Sequence, residues 1–319
     1  MAGFAGRLLA IPFAHRTLSA RLSALGLDAA ICAMPGPLDL LMIRALRRAR
    51  VPSIVVVHDA NLHPGDGLPF QMRLQRRLLR EADALVALTE HVARGLREQG
   101  AIGARTDRRP LFMASLPPLA FGPPPPPPGA HGGRLRLLSF GRLLPYKGLD
   151  LLAEAMRILG PSADFELRVV GSGPESAALG ALRALPAVSV ENRWVPEEGV
   201  GDLLAWADAV VLSHREASQS GVAAAALAAR RWVVATRVGG IAEQLAAVPT
   251  ARLCEPDPAS LAAAMKSLRR NPPPADGFDP DPGSAWQTVA ARLVSGIEGE
   301  LLGGRSAPGT DPPIGQGRS

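Results

Sequence analysis

Two cations stand in a glycine-bounded turn near the middle of this chain. Arg142 and Lys147 belong to the segment GRLLPYKGLD, residues 141–150, which follows the apolar run Leu135–Phe140 and opens on Gly141. An amphipathic helical pattern comes next. Strand, glycine turn and helix in this order place free backbone N–H groups beside the two charges, which favours an anion such as a diphosphate as the ligand. The alternative is an ordinary strand-to-helix turn with solvated cations.

The elements around this turn predict a doubly wound, Rossmann-like domain over residues 134–275. Apolar runs alternate there with helical patterns at the spacing typical of a parallel sheet. The runs are Leu135–Phe140, Glu166–Val170, Val188–Val190, Ala209–Leu212, Val233–Thr236 and Arg252–Cys254. Gly171 and Gly173 follow the second run and would let a ligand approach the backbone. The dinucleotide fingerprint is incomplete, since Ser176 takes its third glycine position, which argues against a nicotinamide enzyme.

Residues 1–122 show a similar alternation, which predicts a second parallel α/β domain. Its strand-like runs are Leu27–Ala33, Pro52–Val57 and Ala84–Leu88, with helical patterns at Leu38–Arg47 and Leu68–Arg80. His58 stands at the carboxyl end of the second run, where such sheets place ligand groups. It could orient or deprotonate an acceptor hydroxyl, or simply cap a loop with Asp59.

The two ends of the chain and its middle differ from these domains. Residues 1–26 contain arginines and no acid, so they fit a transit peptide or, as we favour, an amphipathic helix that leads into the first strand. The unbroken proline run in residues 123–133 predicts a stiff polyproline II spacer between the domains. Residues 276–303 carry an apolar stripe of helical spacing, and the Gly/Pro-rich residues 304–319 are predicted to be disordered.

Composition narrows the function classes. The chain has 319 residues, 47% of them hydrophobic, and no apolar run long enough to span a bilayer. A pI near 10.4 suggests an anionic partner, but scattered arginines and 4% aromatic residues argue against nucleic acid. Cys32 and Cys254 lie in separate apolar runs, so free buried thiols are expected, and no Cys/His spacing predicts a metal site.

One helical pattern in the N-terminal half carries a basic stripe. Its members fall at i, i+3, i+4 and i+7, and they are Arg73, Arg76, Arg77 and Arg80. Such a stripe is either a solvated helix face or a contact surface for anionic lipid head groups.

The combined pattern resembles the retaining glycosyltransferases of family 4, which have the two-domain GT-B fold. Four stretches carry the likeness, in the order of that family: GRLLPYKGLDLLAEA, LRVVGSGPE, SHREASQSGV from Ser213, and VVATRVGGIAEQL from Val233. The resemblance implies an α/β fold of two Rossmann-like domains with parallel sheets. It also implies that the apolar stripe of residues 276–303 is a helix that crosses back to the N-terminal domain.

The resemblance assigns roles to particular residues. Arg142 and Lys147 would neutralise the diphosphate of a nucleotide-sugar donor, and Glu216 would hold hydroxyls of the donor sugar. The start of a helix at Ser220, Gly221 and Val222 would face the phosphates. The base and ribose would lie near Gly171, Gly173, Arg193 and Trp194, and Gly141 would bind the donor with the turn that it opens. The family needs no metal, so we expect no metal and no cofactor beyond the donor.

Three departures from the family's pattern bear on activity. The second glutamate of the family's motif, which clasps the ribose, is replaced by Ala224 or Ala225, depending on the alignment. Arg230 stands at a helix-ending glycine position, where another cap or a strained backbone is required. Only three strands are predicted before the proline run, and the opening strand and glycine loop of the family are not found, so the N-terminal domain is expected to be truncated.

These observations lead to one expected function and one alternative. The expected function is transfer of a sugar from a nucleoside diphosphate to a hydroxyl acceptor, with retention, in the cytoplasm or at the inner face of the membrane. A growing surface polysaccharide or a lipid-linked glycan would be the acceptor. The alternative is a degenerate homologue that binds a nucleotide or a partner glycosyltransferase without catalysing transfer.

Overall fold

The chain folds into two parallel β-sheets with helices packed against them. Of its 319 residues, the computed structural model describes 11–36, 39–60, 69–101, 109–161, 164–274, 277–278 and 282–303. The predicted α/β class with two parallel sheets is confirmed. The predicted disordered tail lies outside the described residues.

The N-terminal sheet has four parallel strands in the order β1-β2-β3-β4. They are β1 (Ala30–Cys32), β2 (Ser53–Val57), β3 (Ala84–Ala87) and β4 (Leu111–Met113). The helices of this half are α1 (Ile11–Ala24), α2 (Asp39–Arg48), α3 (Pro69–Glu81) and α4 (Glu90–Glu98). The helix expected within residues 1–26 is α1, and it packs against α2 before the chain enters β1.

The strand β4 corrects the expectation that three strands precede the proline run. It pairs in parallel with β3, and Val86 lies opposite Phe112. A three-residue run that follows Pro110 carries too little periodicity to be recognised in a sequence. The segment becomes a strand because β3 presents an open edge with unpaired N–H and C=O groups.

The two faces of the N-terminal sheet are covered by distant parts of the chain. The side chains of Val55 and Val57 pack with α2, α3 and α4. Those of Ile54 and Val86 point the other way, toward the C-terminal helix α11 (Pro282–Ile297). Successive strand residues face opposite sides, so a sheet with apolar residues on both faces needs both covers. The last helix of the chain therefore completes the core of the first domain.

The C-terminal sheet has six parallel strands in the order β10-β9-β8-β5-β6-β7. They are β5 (Leu135–Phe140), β6 (Phe165–Gly171), β7 (Val188–Asn192), β8 (Ala209–Leu212), β9 (Trp232–Thr236) and β10 (Ala251–Cys254). Its helices are α5 (Leu149–Leu159), α6 (Ala177–Arg183), α7 (Val200–Trp206), α8 (Gly221–Ala228), α9 (Gly239–Leu245) and α10 (Pro258–Arg270). The strand order reverses between β5 and β8, and open α/β sheets bind ligands in the crevice at such a point.

The proline-rich segment is clamped to the C-terminal domain by two buried charged residues. Arg231 is 2% exposed, and its guanidinium donates to the carbonyls of Pro125 (3.3 Å) and Pro126 (2.5 Å). Asp208, also 2% exposed, accepts from the backbone N–H of Gly129 at 2.6 Å. Burial lowers the pKa of Arg231 to about 10, and the nearby Asp208 charge acts in the opposite direction. The spacer is therefore held in place at defined points.

Arg230 ends α8 in the left-handed conformation, with φ +54°. Its N–H donates to Leu227 O, and the following N–H, of Arg231, donates to Ala226 O. The left-handed conformation costs a residue with a side chain about 1 to 2 kcal/mol, whereas glycine adopts it at little cost. The strain predicted from the missing glycine is present, and it turns the chain so that Arg231 enters the interior.

Removal of the Asp208 carboxylate should destabilise the C-terminal domain. Asp208→Ala leaves the N–H groups of Gly129 and Arg136 and the His131 ring without their shared acceptor. We expect the free energy of unfolding to fall by about 2 to 4 kcal/mol, measured by urea denaturation. Glu198→Ala, which removes an exposed carboxylate, should change it by less than about 0.5 kcal/mol. Equal effects of the two variants would contradict the role of Asp208 in holding the proline-rich segment to the C-terminal domain.

Candidate functional site

The turn after β5 presents two cations around the single tyrosine of the chain. Arg142 Nη2 donates to the Tyr146 hydroxyl at 3.0 Å, and the guanidinium carbon lies 5.7 Å from the centre of the ring. The ammonium nitrogen of Lys147 lies 5.3 Å from the same centre. Tyr146 itself is buried. Its ring therefore holds both cations on one side of the turn by hydrogen bonding and cation–π attraction.

Lys147 contacts a histidine from the other side of the crevice. Its Nζ lies 2.8 Å from Nε2 of His214, which is 3% exposed and follows β8. The ammonium group donates, so the imidazole accepts at Nε2. Burial and the charge of Arg142 lower the pKa of Lys147 to about 8, while the charge of Asp59 raises it. A lysine with these neighbours is charged at neutral pH, and an anion beside it would restore its pKa.

Close backbone packing fixes the turn against the end of β8. Gly148 has φ +63°, and a Cβ there would lie 2.0 Å from the carbonyl oxygen of Ser213. Ser213 Oγ donates to Lys147 O at 2.9 Å, and Arg215 N donates to Tyr146 O at 2.8 Å. Only glycine fits the position after Lys147, so the turn and the strand end form one unit.

The second loop of the crevice, residues 217–221, leads into α8. Ser220 caps the helix, since its Oγ accepts from Ala223 N at 3.1 Å. The Gln244 side chain accepts from Ser220 N at 3.0 Å and donates to Ser220 O at 3.1 Å. A Cβ on Gly240 would lie 1.7 Å from Ser218 O, so the glycine pair of the VGG segment lets α9 pack directly on this loop. The first N–H groups of α8 are thereby aimed at the crevice.

The N-terminal domain contacts the crevice through His58, which follows the end of β2. His58 Nε2 lies 2.8 Å from the carbonyl oxygen of Ala33, and its Nδ1 lies 2.9 Å from Nε2 of Gln219. With the amide donating to Nδ1, the ring proton sits on Nε2 and donates to Ala33. Thr89 Oγ1 donates to Ser218 O at 3.0 Å, which adds a second bond between the N-terminal domain and this loop.

These groups line one cavity of about 470 Å³ between the domains. Arg142 and Lys147 form a cationic end, and His214 accepts from the lysine there. The predicted site residues Gly141, Arg142, Lys147, His58, Ser220, Gly221 and Val222 all line it. His58 lies there with both ring nitrogens engaged, so it joins the domains and presents no open lone pair as a base.

Five other predicted residues do not line this cavity: Glu216, Arg193, Trp194, Gly171 and Gly173. Glu216 is exposed, in a loop whose neighbour Arg215 pairs with Asp150. Arg193 pairs with Glu191 at 2.8 Å, and Trp194 next to it is 77% exposed. Both residues follow the end of β7 at Asn192, and both are exposed.

Gly171 and Gly173 serve packing where ligand approach was expected. A Cβ on Gly171 would lie 1.7 Å from Gly141 O, and one on Gly173 would lie 2.4 Å from Leu143 O. The loop after β6 thus presses on the turn after β5 and supports it. Both positions require glycine, but the group that approaches each of them closely is a backbone carbonyl of the neighbouring turn and not a ligand.

Among the cavity residues that sequence reasoning missed, three carry polar side chains: Tyr146, His214 and Gln219. Tyr146 stands inside the recognised turn, between its two cations, and its uniqueness in the chain was an available signal. His214 and Gln219 flank Glu216 in the motif that begins at Ser213. Glu216 was predicted because it matches a motif glutamate of the family, whereas the fold places His214 and Gln219 at the cavity.

The structure also decides between the two alanines that replace a motif glutamate. Ala225 lines the cavity on the same face of α8 as Val222, three residues before it. Ala224 faces a different cavity of about 580 Å³, which is lined by residues 115–118, before the proline run, and by α11. Ala225 is therefore the residue beside the cations.

Comparison with known families agrees with this geometry. Residues 134–271 match the family model of "Glycosyl transferases group 1", and residues 3–111 match that of a "Glycosyl transferase 4-like domain". The two matches together span more than three quarters of the chain. The protein is a family 4 glycosyltransferase by descent. None of the curated proteins compared with it matches.

Solved structures of glycosyltransferases share the fold of this family member. Sucrose-phosphate synthase from Thermosynechococcus elongatus matches with a TM-score of 0.67 and 16% identity, over 92% of this chain and 78% of that one. HepE from Anabaena, solved in complex with UDP-glucose, gives 0.63 and 17% over 87% and 82%. A glycosyltransferase from Rickettsia africae gives 0.64 and 16% over 91% and 81%. The predicted GT-B fold is confirmed.

No described helix is both long and apolar enough to cross a membrane. Within the same residues, no group of three His, Cys, Asp or Glu side chains is placed to hold a metal ion.

Loss of the buried charge at Lys147 should stabilise the ligand-free protein. Its folded pKa of about 8 lies below the unfolded value, so the ammonium form costs stability at pH 7, and stability should rise with pH between about 8 and 10.5. We expect Lys147→Met to raise the free energy of unfolding at pH 7 by on the order of 1 to 3 kcal/mol.

The only other lysine of the chain supplies the control for this measurement. Lys266 lies on α10, away from the cavity, and Lys266→Met should change the free energy of unfolding by less than about 0.5 kcal/mol. Urea denaturation of both variants at pH 7 gives the comparison. A Lys147→Met protein less stable than the parent would show that the ammonium group is held by favourable contacts.

Proposed function

We propose that this protein transfers a sugar from a nucleoside diphosphate to a hydroxyl acceptor, with retention of configuration. The observation that carries the proposal is the placement of Arg142 and Lys147 beside the start of α8. The two cations and the first residues of α8 line one cavity there, at the reversal of strand order. The family membership and the UDP-glucose bound to the HepE neighbour support a nucleotide-sugar donor.

The proposed chemistry needs electrostatic stabilisation of the leaving group. As the bond from the sugar to the diphosphate breaks, negative charge grows on the phosphate oxygens, and preorganised cations favour that transition state. Arg142 and Lys147 supply the charge in this scheme, so we propose that no metal takes part. Retention follows if the acceptor hydroxyl attacks from the face of the leaving group.

Asp59 is the carboxylate that the N-terminal domain brings to the cavity. It lies close enough to Lys147 for its charge to raise the pKa of that lysine. We propose that it receives a hydroxyl of the sugar or the acceptor, since a carboxylate is a strong hydrogen-bond acceptor. His58 then acts as a positioning residue, which ties Gln219 to the N-terminal domain.

A second function has specific support: binding of the nucleotide without transfer, as a degenerate homologue. Ala225 stands in the cavity without a charged group, and Glu216 lies outside its lining. The cavity therefore lacks, at these two positions, the carboxylates that bind sugar hydroxyls in the family. Transfer assays with a panel of donors separate the two functions, since both predict nucleotide binding and only the first predicts product.

Removal of Arg142 should weaken the binding of nucleoside diphosphates. A lost charged hydrogen bond costs about 1.5 to 3 kcal/mol, so Arg142→Ala should raise the Kd for UDP, GDP or ADP by roughly tenfold to a hundredfold. Isothermal titration calorimetry gives the Kd. Affinity should also decline above pH 8, where Lys147 loses its proton.

Arg157→Ala is the matched control, because it removes an exposed arginine of α5 outside the cavity. Its Kd should stay within about twofold of the parent value. If Arg142→Ala bound nucleotides as tightly as Arg157→Ala, the cavity would not be the diphosphate site.

The charge of the chain is concentrated in its N-terminal domain. Residues 1–122 carry 16 arginines and nine acidic residues, a net charge of +7, against +6 for the whole chain. All four arginines of the predicted stripe on α3 are exposed, and Arg76 and Arg80 border a surface pocket of about 520 Å³. We propose that this face meets an anionic membrane, where a lipid-linked or polysaccharide acceptor is extended in the cytoplasm.

Loss of the α3 arginines should release the protein from anionic vesicles. Replacement of Arg73, Arg76 and Arg80 by alanine should weaken binding to phosphatidylglycerol vesicles by roughly a hundredfold, at about 1 kcal/mol per charge. Co-sedimentation in low salt measures the partition. The control removes three exposed arginines of the C-terminal domain, Arg134, Arg157 and Arg270. Equal losses would mean that only net charge matters, and the α3 face would not be the contact surface.

A further inference from the structure

Gln219 presents an unused hydrogen-bond acceptor at the cavity between the domains. The residue is half-buried and lines the same cavity as Arg142 and Lys147. Its Oε1 is shielded from water, and no partner for this oxygen is found among the residues that the structure describes. A shielded amide oxygen without a partner costs free energy, which a donating group would recover. The oxygen is therefore a place where a ligand hydroxyl would be bound.

The hydrogen bonds of His58 decide which atom of the Gln219 amide remains for a ligand. His58 Nε2 lies 2.8 Å from Ala33 O, and a carbonyl oxygen only accepts, so Nε2 carries the proton of the neutral ring. The other ring nitrogen, Nδ1, is then an acceptor, and the amide nitrogen of Gln219 donates to it at 2.9 Å. The amide nitrogen is committed to His58, and the oxygen points away from it.

The backbone of Gln219 is held on both sides. On one side, Thr89 Oγ1 donates to Ser218 O at 3.0 Å. On the other side, the Gln244 amide bonds both the N–H and the carbonyl of Ser220, at 3.0 and 3.1 Å. The side chain therefore leaves the chain at a fixed point, and the acceptor is in position before a ligand arrives.

The place of Gln219 in the loop relates it to the sugar that is transferred. It directly precedes Ser220, where α8 begins and where the proposed phosphates lie. A sugar that passes from these phosphates to an acceptor on the N-terminal domain lies between the two, and the Gln219 amide contacts that domain through His58. The Ser220 hydroxyl is already used to cap α8, and Glu216 lies outside the lining. Gln219 is thus the side chain of this loop that is placed to bind the sugar.

Gln219 also borders the cavity of about 580 Å³ that Ala224 faces. Its side chain therefore forms part of the partition between the two cavities. The second cavity is lined by Glu90 and Glu243, and by no cation among the described residues. Carboxylates repel a phosphate, so a sugar attached to a diphosphate enters the cavity of Arg142 and Lys147 instead.

We propose that Gln219 determines specificity for the transferred sugar, because its Oε1 accepts a hydrogen bond from one hydroxyl of that sugar. His58 is the positioning residue that holds the amide in this orientation. The inference rests on the proposed function, which it deepens. A site that offers a shielded acceptor rejects an analogue without the matching hydroxyl, since the acceptor is then left unpaired. The ligand class is a nucleoside diphosphate of a sugar that carries a free hydroxyl at this point.

The experiment measures the contribution of the sugar to affinity by isothermal titration calorimetry on the full chain. The probes are UDP-glucose, UDP-galactose, UDP-N-acetylglucosamine, GDP-mannose and ADP-glucose, each paired with its free nucleotide. The ratio of the nucleotide Kd to the nucleotide-sugar Kd isolates the sugar. We expect the ratio to reach about tenfold or more for at least one pair. In the parent protein, one monodeoxy form of that sugar should bind about tenfold more weakly than the sugar itself.

Removal of the acceptor should abolish this discrimination. Gln219→Met keeps the length of the side chain without its amide, so the ratio should fall about tenfold, and the monodeoxy sugar should bind within about threefold of the parent sugar. The Kd of the free nucleotide should stay within about threefold. Gln287→Met is the matched control, because Gln287 is exposed on α11 and lines neither cavity. Circular dichroism confirms that each variant is folded.

Two variants of His58 test its positioning role. His58→Leu removes the acceptor that holds the Gln219 amide nitrogen, so the ratio should fall by about threefold or more. His58→Asn can present its side-chain oxygen near the position of Nδ1, and the ratio should stay close to the parent value. A role of His58 in packing alone would lower stability in both variants and leave the ratio unchanged.

Each outcome decides a different point. Nucleotides that bind with a ratio near one for every pair, or with a ratio that Gln219→Met does not change, overturn the inference and leave the proposed donor site intact. A Gln219→Met protein that binds the free nucleotide and its sugar conjugate equally more weakly overturns the inference also, because the contact would then be with the nucleotide. If no nucleotide binds, or if binding is insensitive to Arg142→Ala, the proposed function fails together with the inference.

Discussion

Holding the half-buried Lys147 beside the exposed Arg142 is the constraint on which this structure depends. Burial and the neighbouring guanidinium lower the pKa of Lys147 to about 8, so the ligand-free turn stores an unfavourable charge arrangement. The Tyr146 ring and the His214 nitrogen hold the cations, and the contact of Gly148 with Ser213 keeps the turn from relaxing. An anion is the partner that would relieve the strain, which is why function is assigned to this point.

The same region joins the two domains. The loop that begins α8 is tied to its own domain by Gln244 and to the N-terminal domain by His58, through Gln219, and by Thr89. The C-terminal helix α11 covers one face of the N-terminal sheet, and Trp286 on that helix donates to Pro118 O in the linker. A change in the angle between the domains would therefore be felt at the start of α8, where the proposed phosphates lie.

The two domains divide the proposed work by charge and polarity. The C-terminal domain supplies the two cations, Arg142 and Lys147, to the cavity, and it is close to neutral overall. The N-terminal domain supplies one carboxylate, Asp59, to the cavity and carries the whole excess of positive charge on its surface. Specific recognition of a small anion and long-range attraction to an anionic surface are thus placed on different faces.

Sequence alone determined the elements whose information is local. The strand before Arg142, the glycine turn and the following helix were predicted because hydrophobic period and glycine positions record backbone conformation residue by residue. The tertiary structure decided which contacts form between elements that are distant in the sequence. It made a strand of Leu111–Met113 by offering it the edge of β3, and it brought His214 to Lys147 by placing β8 beside β5. It also left Arg193 exposed after the end of β7 and placed Ala225 at the cavity, because the rotation of α8 decides which of its residues face the crevice.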